Sequence, residues 1–192
     1  MKFSQIEKQD LFKAWLMLSI AFAIVMGGFS FTFQFAIQMA IAAITVGTGF
    51  LLHEIGHKFL AQKYGCVAEF RANMQMLFLA VLMSFFGFIF AAPGAVFIGG
   101  KHVSVSENGK ISAMGPLMNI ILALIFLGFL FYFPNSTLVY YGFLINSWLA
   151  LFNMIPFAIF DGAKILKWNK VVYGVMVAFS FILLNVPPFI PK

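Results

Sequence analysis

The sequence predicts an α-helical polytopic membrane protein, a single domain over 1–192. It has five transmembrane helices, with six as the alternative, and a re-entrant, partly β membrane segment around 72–111. Three observations predict this. Hydrophobic residues make up 62% of the 192 and charged residues 9%, against roughly 45–50% and about 25% in a soluble domain. That leaves too little polar surface to cover a water-soluble body. The 12 basic and 6 acidic side chains are also clustered, with none in 14–53, 72–100, 111–160 or 171–191. Finally, turn-forming residues cut these gaps into pieces close to the roughly 20 apolar residues that cross a bilayer. A disordered chain, a disulfide scaffold and a nucleic-acid binder are excluded. The net charge of +6 is spread without a dense basic run, and the single Cys66 has no partner for an internal disulfide.

Taken in order, the first gap holds a peripheral helix at 14–29 and a core helix at 34–57, separated at Gly27-Gly28-Phe29-Ser30. The first apolar run is long and has no small-residue cleavage site, so it does not read as a cleavable signal peptide. The third gap holds core helices at 112–133 and 138–160, separated at Pro134-Asn135-Ser136, and the last holds a helix at 170–186 stopped by Pro187-Pro188. The second gap is decided by charge. If 72–100 crossed the membrane once, lysines would flank it on both sides. If it dips in and returns, the N-terminus, 58–71, 101–110 and 164–170 all face the cytoplasm, and the external loops 28–33 and 134–137 carry no charge. That is the positive-inside pattern. Gly87, Pro93-Gly94 and Gly99-Gly100 punctuate the segment, and 102–111 alternates around Asn108-Gly109 like a β-hairpin.

The chemistry sits at the end of the second span, in His53-Glu54-Ile55-Gly56-His57. Histidines at i and i+4 lie about 40° apart around a helix, so both imidazoles can reach one ion. His-x-x-x-His with a glutamate after the first histidine is the zinc-hydrolase arrangement, with Glu54 as general base. The alternative is a polar helix end with these side chains reaching for water. Against it, ionisable groups following forty charge-free residues are costly at a membrane and mark function by default. A catalytic zinc needs three protein ligands and an open position. His102 reads as an exposed residue and Cys66 as an inert thiol. Glu7, Asp10, Glu69 and Glu107 sit among lysines and read as solvated loop charges. Asp161 closes a fifty-residue charge-free run at the level of His53 and is the third ligand by elimination. The other reading of Asp161 is a charge at a helix C-terminus, where an acid opposes the macrodipole. Gly56 leaves room for a close helix or is a plain packing glycine. Pro156 either opens the helix before Asp161 or merely kinks it.

With these residues in view, the sequence resembles the site-2 protease family of intramembrane zinc metalloproteases. The likeness is carried by His53-Glu54-Ile55-Gly56-His57, by Gly115-Pro116-Leu117-Met118-Asn119, and by Asn153-Met154-Ile155-Pro156 continuing to Phe160-Asp161-Gly162. It covers roughly 34–166. The resemblance implies one Zn²⁺ per chain on His53, His57 and Asp161, with Glu54 catalytic. It also implies that Asn153, Pro156, Gly162 and Asn119 bind substrate or support the site. Asn153 would contact the substrate backbone, or else serve as helix–helix glue. The implied partners are a transmembrane protein substrate and the lipid bilayer, with no nucleic acid. The implied location is the cell membrane, multi-pass, with the active site toward the cytoplasm, and no PDZ or CBS domain fits in the remaining length. Two departures touch the groove: Ala158-Ile159-Phe160 replaces a proline often found before the aspartate, and Phe160 replaces the usual Leu or Met. An extended substrate could add a strand to the edge of the β segment within 94–106. The rival readings are a divalent metal transporter and a catalytically inactive relative.

Overall fold

Short polar side chains start most of the helices, because an N-cap oxygen takes up an N–H group that the first turn leaves free. In the computed structural model, which describes residues 1–89, 93–157 and 160–186, Ser4 opens α1 (Gln5–Gly27) and Thr32 opens α2 (Phe33–Ala42). A π-helical turn at Ala43–Gly47 joins α2 directly to α3 (Thr48–Lys63), so Phe33–Lys63 is one rod of 31 residues. The indole N–H of Trp15 in α1 donates to the Ala43 carbonyl at this turn (3.1 Å). Gly65, at φ +81°, ends the rod. The Cys66 and Gly65 N–H groups fold back onto the Ala61 and Gln62 carbonyls, as in a Schellman motif. β1 (Val67–Ala72), α4 (Met74–Ser84) and β2 (Gly94–Gly99) follow. The chain then continues through α5 (Val105–Tyr132), α6 (Thr137–Asn153), α7 (Asp161–Trp168) and α8 (Lys170–Asn185).

Three of these are long and apolar enough to cross a membrane: α1, the α2–α3 rod and α5. The protein is therefore a membrane protein. α4 and α8 are shorter apolar helices. β1 and β2 pair antiparallel, with Val67 opposite Gly99 and Ala72 opposite Gly94. The Asn73 N–H donates to the Pro93 carbonyl (2.9 Å). The chain thus leaves the sheet at 73, runs out through α4, and comes back to the same place at 93. Residues 90–92, 158–159 and the Pro187-Pro188 stop lie outside the described residues.

α3 packs on α5 and α5 on α6, and small residues let these backbones approach. A side chain at Gly56 would meet the Met114 carbonyl and Met118, and one at Gly142 would meet the Phe126 ring. One apolar core gathers Leu11, Leu18, Val46, Phe50, Phe70 and Leu77 from α1, the rod, β1 and α4; a second joins α5, α6 and α8 around Ile120, Phe143 and Leu183.

Three sequence expectations are corrected. Residues 105–111 are the first turns of α5, not half of a hairpin. Ser104 and Glu107 form a capping box, in which the Ser104 hydroxyl accepts from the Glu107 N–H (3.2 Å) and the Glu107 carboxylate from the Ser104 N–H (2.9 Å). That start signal outweighs the Asn108-Gly109 turn preference. The helix expected over 138–160 ends at Asn153, because proline disfavours helical backbone at the residue before it and has no N–H to continue the ladder. Asp161 then stands in the first turn of a new helix rather than at the end of an old one, where an acid is favoured by the macrodipole. Finally, Glu7 is not a solvated loop charge. It lies in the first turn of α1, fully buried, with its carboxylate on Lys58 Nζ (2.6 and 2.7 Å) and the Phe70 N–H (3.0 Å).

Candidate metal centre

His53 and His57 lie on one face of α3, their rings 4.7 Å apart and nearly perpendicular. The break after Asn153 turns the chain so that α7 presents Asp161 to that face. Asp161 Oδ2 is 3.2 Å from His53 Nε2 and 3.1 Å from His57 Nε2. All three residues are buried, and one ligand atom from each lies within 4.8 Å of the others. Each imidazole is held from behind: His53 Nδ1 is 2.7 Å from Asn119 Oδ1, and His57 Nδ1 is 2.8 Å from the Ile111 carbonyl. Hydrogen bonds at Nδ1 leave Nε2 for a metal, and such partners orient a histidine ligand.

The residues present fit zinc. Two imidazoles and a carboxylate are a zinc donor set that leaves the fourth position open. Gly115 of α5 stands beside the Nε2 atoms of both histidines, so that any side chain there would fill the cradle. Glu54, buried next to the ligands, has Oε2 without a hydrogen-bond partner among the described residues. A buried carboxylate oxygen left unpaired is costly and marks a group kept for work. Gly115→Ala is accordingly expected to leave a folded protein that binds zinc at least about tenfold more weakly, about 1.4 kcal/mol, as measured by chelator competition.

A cavity of about 180 Å³ opens onto this cluster. His53, Glu54, His57 and Asp161 line it together with Asn153, Phe152 and Phe160, and Gly94, Ala95, Val96 and Ile98 of β2 form another wall. Lys164 stands at the rim, its Nζ 3.7 Å from Asp161 Oδ1.

The four residues singled out as catalytic or metal-binding therefore come together, and Asn119 supports them directly. Asn153 reaches the cavity, although its Nδ2 donates to Leu149 of its own helix (2.9 Å). Pro156 and Gly162 do not line the cavity. Pro156 is exposed in the turn between α6 and α7, and Gly162 is packed against the Met154 backbone, where a larger residue would push α7 away. Gly115, to which the sequence assigned no chemistry, proves to shape the cradle. Asn146, fully buried beside Asn119, was missed; an amide inside an apolar run was the signal.

No protein-family profile matches the chain, and no solved structure matches it. A curated protein of Methanocaldococcus jannaschii, named "Putative zinc metalloprotease MJ0611", is 41% identical over 180 residues, 91% of this chain and 91% of the relative. With near end-to-end coverage at that identity, the chain belongs to the same zinc metalloprotease family as this archaeal protein.

Proposed function

We propose that the protein is an intramembrane zinc endopeptidase of the site-2 protease type, cutting peptide bonds within or near transmembrane segments of membrane protein substrates in regulated intramembrane proteolysis. The observation that carries this reading is the convergence of His53, His57 and Asp161 on one point, with Glu54 Oε2, unpaired among the described residues, beside them in a cavity walled by a β-strand.

His53, His57 and Asp161 would hold one Zn²⁺ per chain. When bound, the ion supplies Lewis acidity to a water and to the scissile carbonyl. Glu54 takes the proton from the attacking water and returns it to the leaving amine. A transmembrane helix has its backbone bonds satisfied internally, so its scissile bond must be unwound before attack. Gly94–Gly99 is paired only along the edge facing β1 among the described residues. Its other edge can take an extended substrate as an added strand, with Asn153 holding the substrate backbone from the opposite wall. The strand ends at Gly99 rather than reaching 106, because α5 begins at Val105. The excursion through α4, which leaves and rejoins the sheet, is read as re-entrant. The protein reads as multi-pass in the cell membrane with the centre toward the cytoplasm, a reading supported by the lysines in the N-terminus, 58–71, 101–110 and 164–170 and their absence from 28–33 and 134–137.

The test is reconstitution in lipid with a labelled transmembrane peptide. Cleavage by protein carrying one zinc per chain, loss on chelation and recovery on adding zinc back are expected. Zinc or other divalent flux without cleavage would instead favour a transporter. Reporter fusions at residues 31 and 135 are expected on the external side.

A further inference from the structure

We infer that Asn146 is a positioning residue of the metal centre, acting through Asn119 to hold His53 in the tautomer that presents Nε2; this rests on the zinc reading of His53, His57 and Asp161. The direction of each hydrogen bond follows from its neighbours. Asn146 Nδ2 donates to the Gly142 carbonyl of its own helix (2.8 Å), which leaves its Oδ1 to accept. What it accepts is a proton of Asn119 Nδ2 (3.1 Å). The other Nδ2 proton of Asn119 goes to the Gly49 carbonyl of α3 (3.1 Å). With both amide protons committed to oxygen atoms, Asn119 turns Oδ1 toward His53 Nδ1 (2.7 Å). An oxygen at that place can only accept, so Nδ1 carries the proton and Nε2 keeps its lone pair. The reversed Asn119 amide would set oxygen against oxygen at both Gly49 and Asn146.

Three further observations fit a relay rather than incidental helix contact. Both amides are fully buried, and a buried network of this kind is either fully satisfied or costly. Gly49 makes the room: a side chain there would collide with Asn146 Oδ1. His57 takes its orientation from a backbone carbonyl of α5, whereas His53 takes it from two side chains in series. α6, which carries none of the three ligands, thereby shapes the centre through Asn146.

Asn146→Leu keeps the branching and the number of side-chain heavy atoms, though it is bulkier, and removes the acceptor. Zinc affinity in detergent, by competition with a chromophoric chelator, is expected to fall roughly 10–100-fold. Ser147→Ala is the control. Ser147 is equally buried on the same helix, but its hydroxyl donates only to the Phe143 carbonyl (2.9 Å), so zinc should bind as in the parent. Asn146→Leu binding zinc within about twofold of the parent, on the tenfold-per-1.4 kcal/mol scale, overturns the inference. The unmodified chain provides a second readout that needs no variant to fold. It has three histidines, and ¹⁵N-histidine spectra of the zinc-loaded protein should show His53 with zinc on Nε2 and a protected proton on Nδ1. Zinc on Nδ1, or no protected proton there, overturns the relay while leaving the zinc reading intact. A parent that binds no zinc overturns both.

Discussion

Replacing Glu54 with glutamine is expected to leave zinc bound and to lower cleavage of a transmembrane peptide by about 10²–10⁴-fold, the usual contribution of a positioned general base. Glutamine keeps the shape of the side chain and removes the proton acceptor. None of the three candidate ligand atoms belongs to Glu54, and neither of the Nδ1 hydrogen bonds that orient the histidines passes through it. The measurement pairs metal analysis of the purified variant with a cleavage assay in liposomes. Cleavage that survives sinks the assigned mechanism. Zinc lost together with activity would show that Glu54 holds the metal rather than the proton.

Glu7→Ala is expected to destabilise the protein by about 3–5 kcal/mol, the usual result of stripping the partner from a buried charge. Lys58 is 2% exposed and Glu7 is 0% exposed. Among the described residues, the variant leaves the Lys58 ammonium with the Ala68 carbonyl as its one hydrogen-bond partner (2.8 Å), close to the ring of Phe3, and leaves the Phe70 N–H without its acceptor. The pair also ties the start of α1 to α3 one residue beyond His57 and to β1, so loosening it loosens the sheet that walls the cavity. The companion variant Glu7→Leu with Lys58→Met removes both charges. It is expected to recover most of the loss, because the desolvation of the pair disappears with it. Unfolding midpoints in detergent decide. A Glu7→Ala protein as stable as the parent would put the pair in the class of exposed ion pairs, worth about 0–1 kcal/mol.

The features legible in advance were those that depend on near neighbours along the chain. Composition alone calls for a membrane, since 9% charged residues cannot solvate a globule. Helical spacing alone puts His53 and His57 on one face. Asp161 could be found by elimination because acids are so few. Structure departs from local expectation where two local signals compete. At 104–109 an Asn-Gly turn signal overlaps a capping box, and the cap prevails because α5 continues for about seven more turns beyond it. Up to residue 160 a charge-free run hides a helix end at Asn153 that Pro156 announces. Glu7 looked solvated because its charge partner is fifty-one residues away in the chain.

By itself the sequence determined the solvent this protein lives in, most of its helices, the paired histidines with their glutamate, and the short list of acids that holds Asp161. Each of these follows from composition or from contacts within one or two helical turns. The tertiary structure alone decided that Asp161 is carried by a separate helix onto both Nε2 atoms, that Gly115 leaves the cradle open, and that Asn119 and Asn146 stand behind His53. These depend on which faces of α3, α5, α6 and α7 meet. That is settled by packing among apolar residues whose pattern, nearly uniform around α3, α5 and α6, does not mark a face in the sequence.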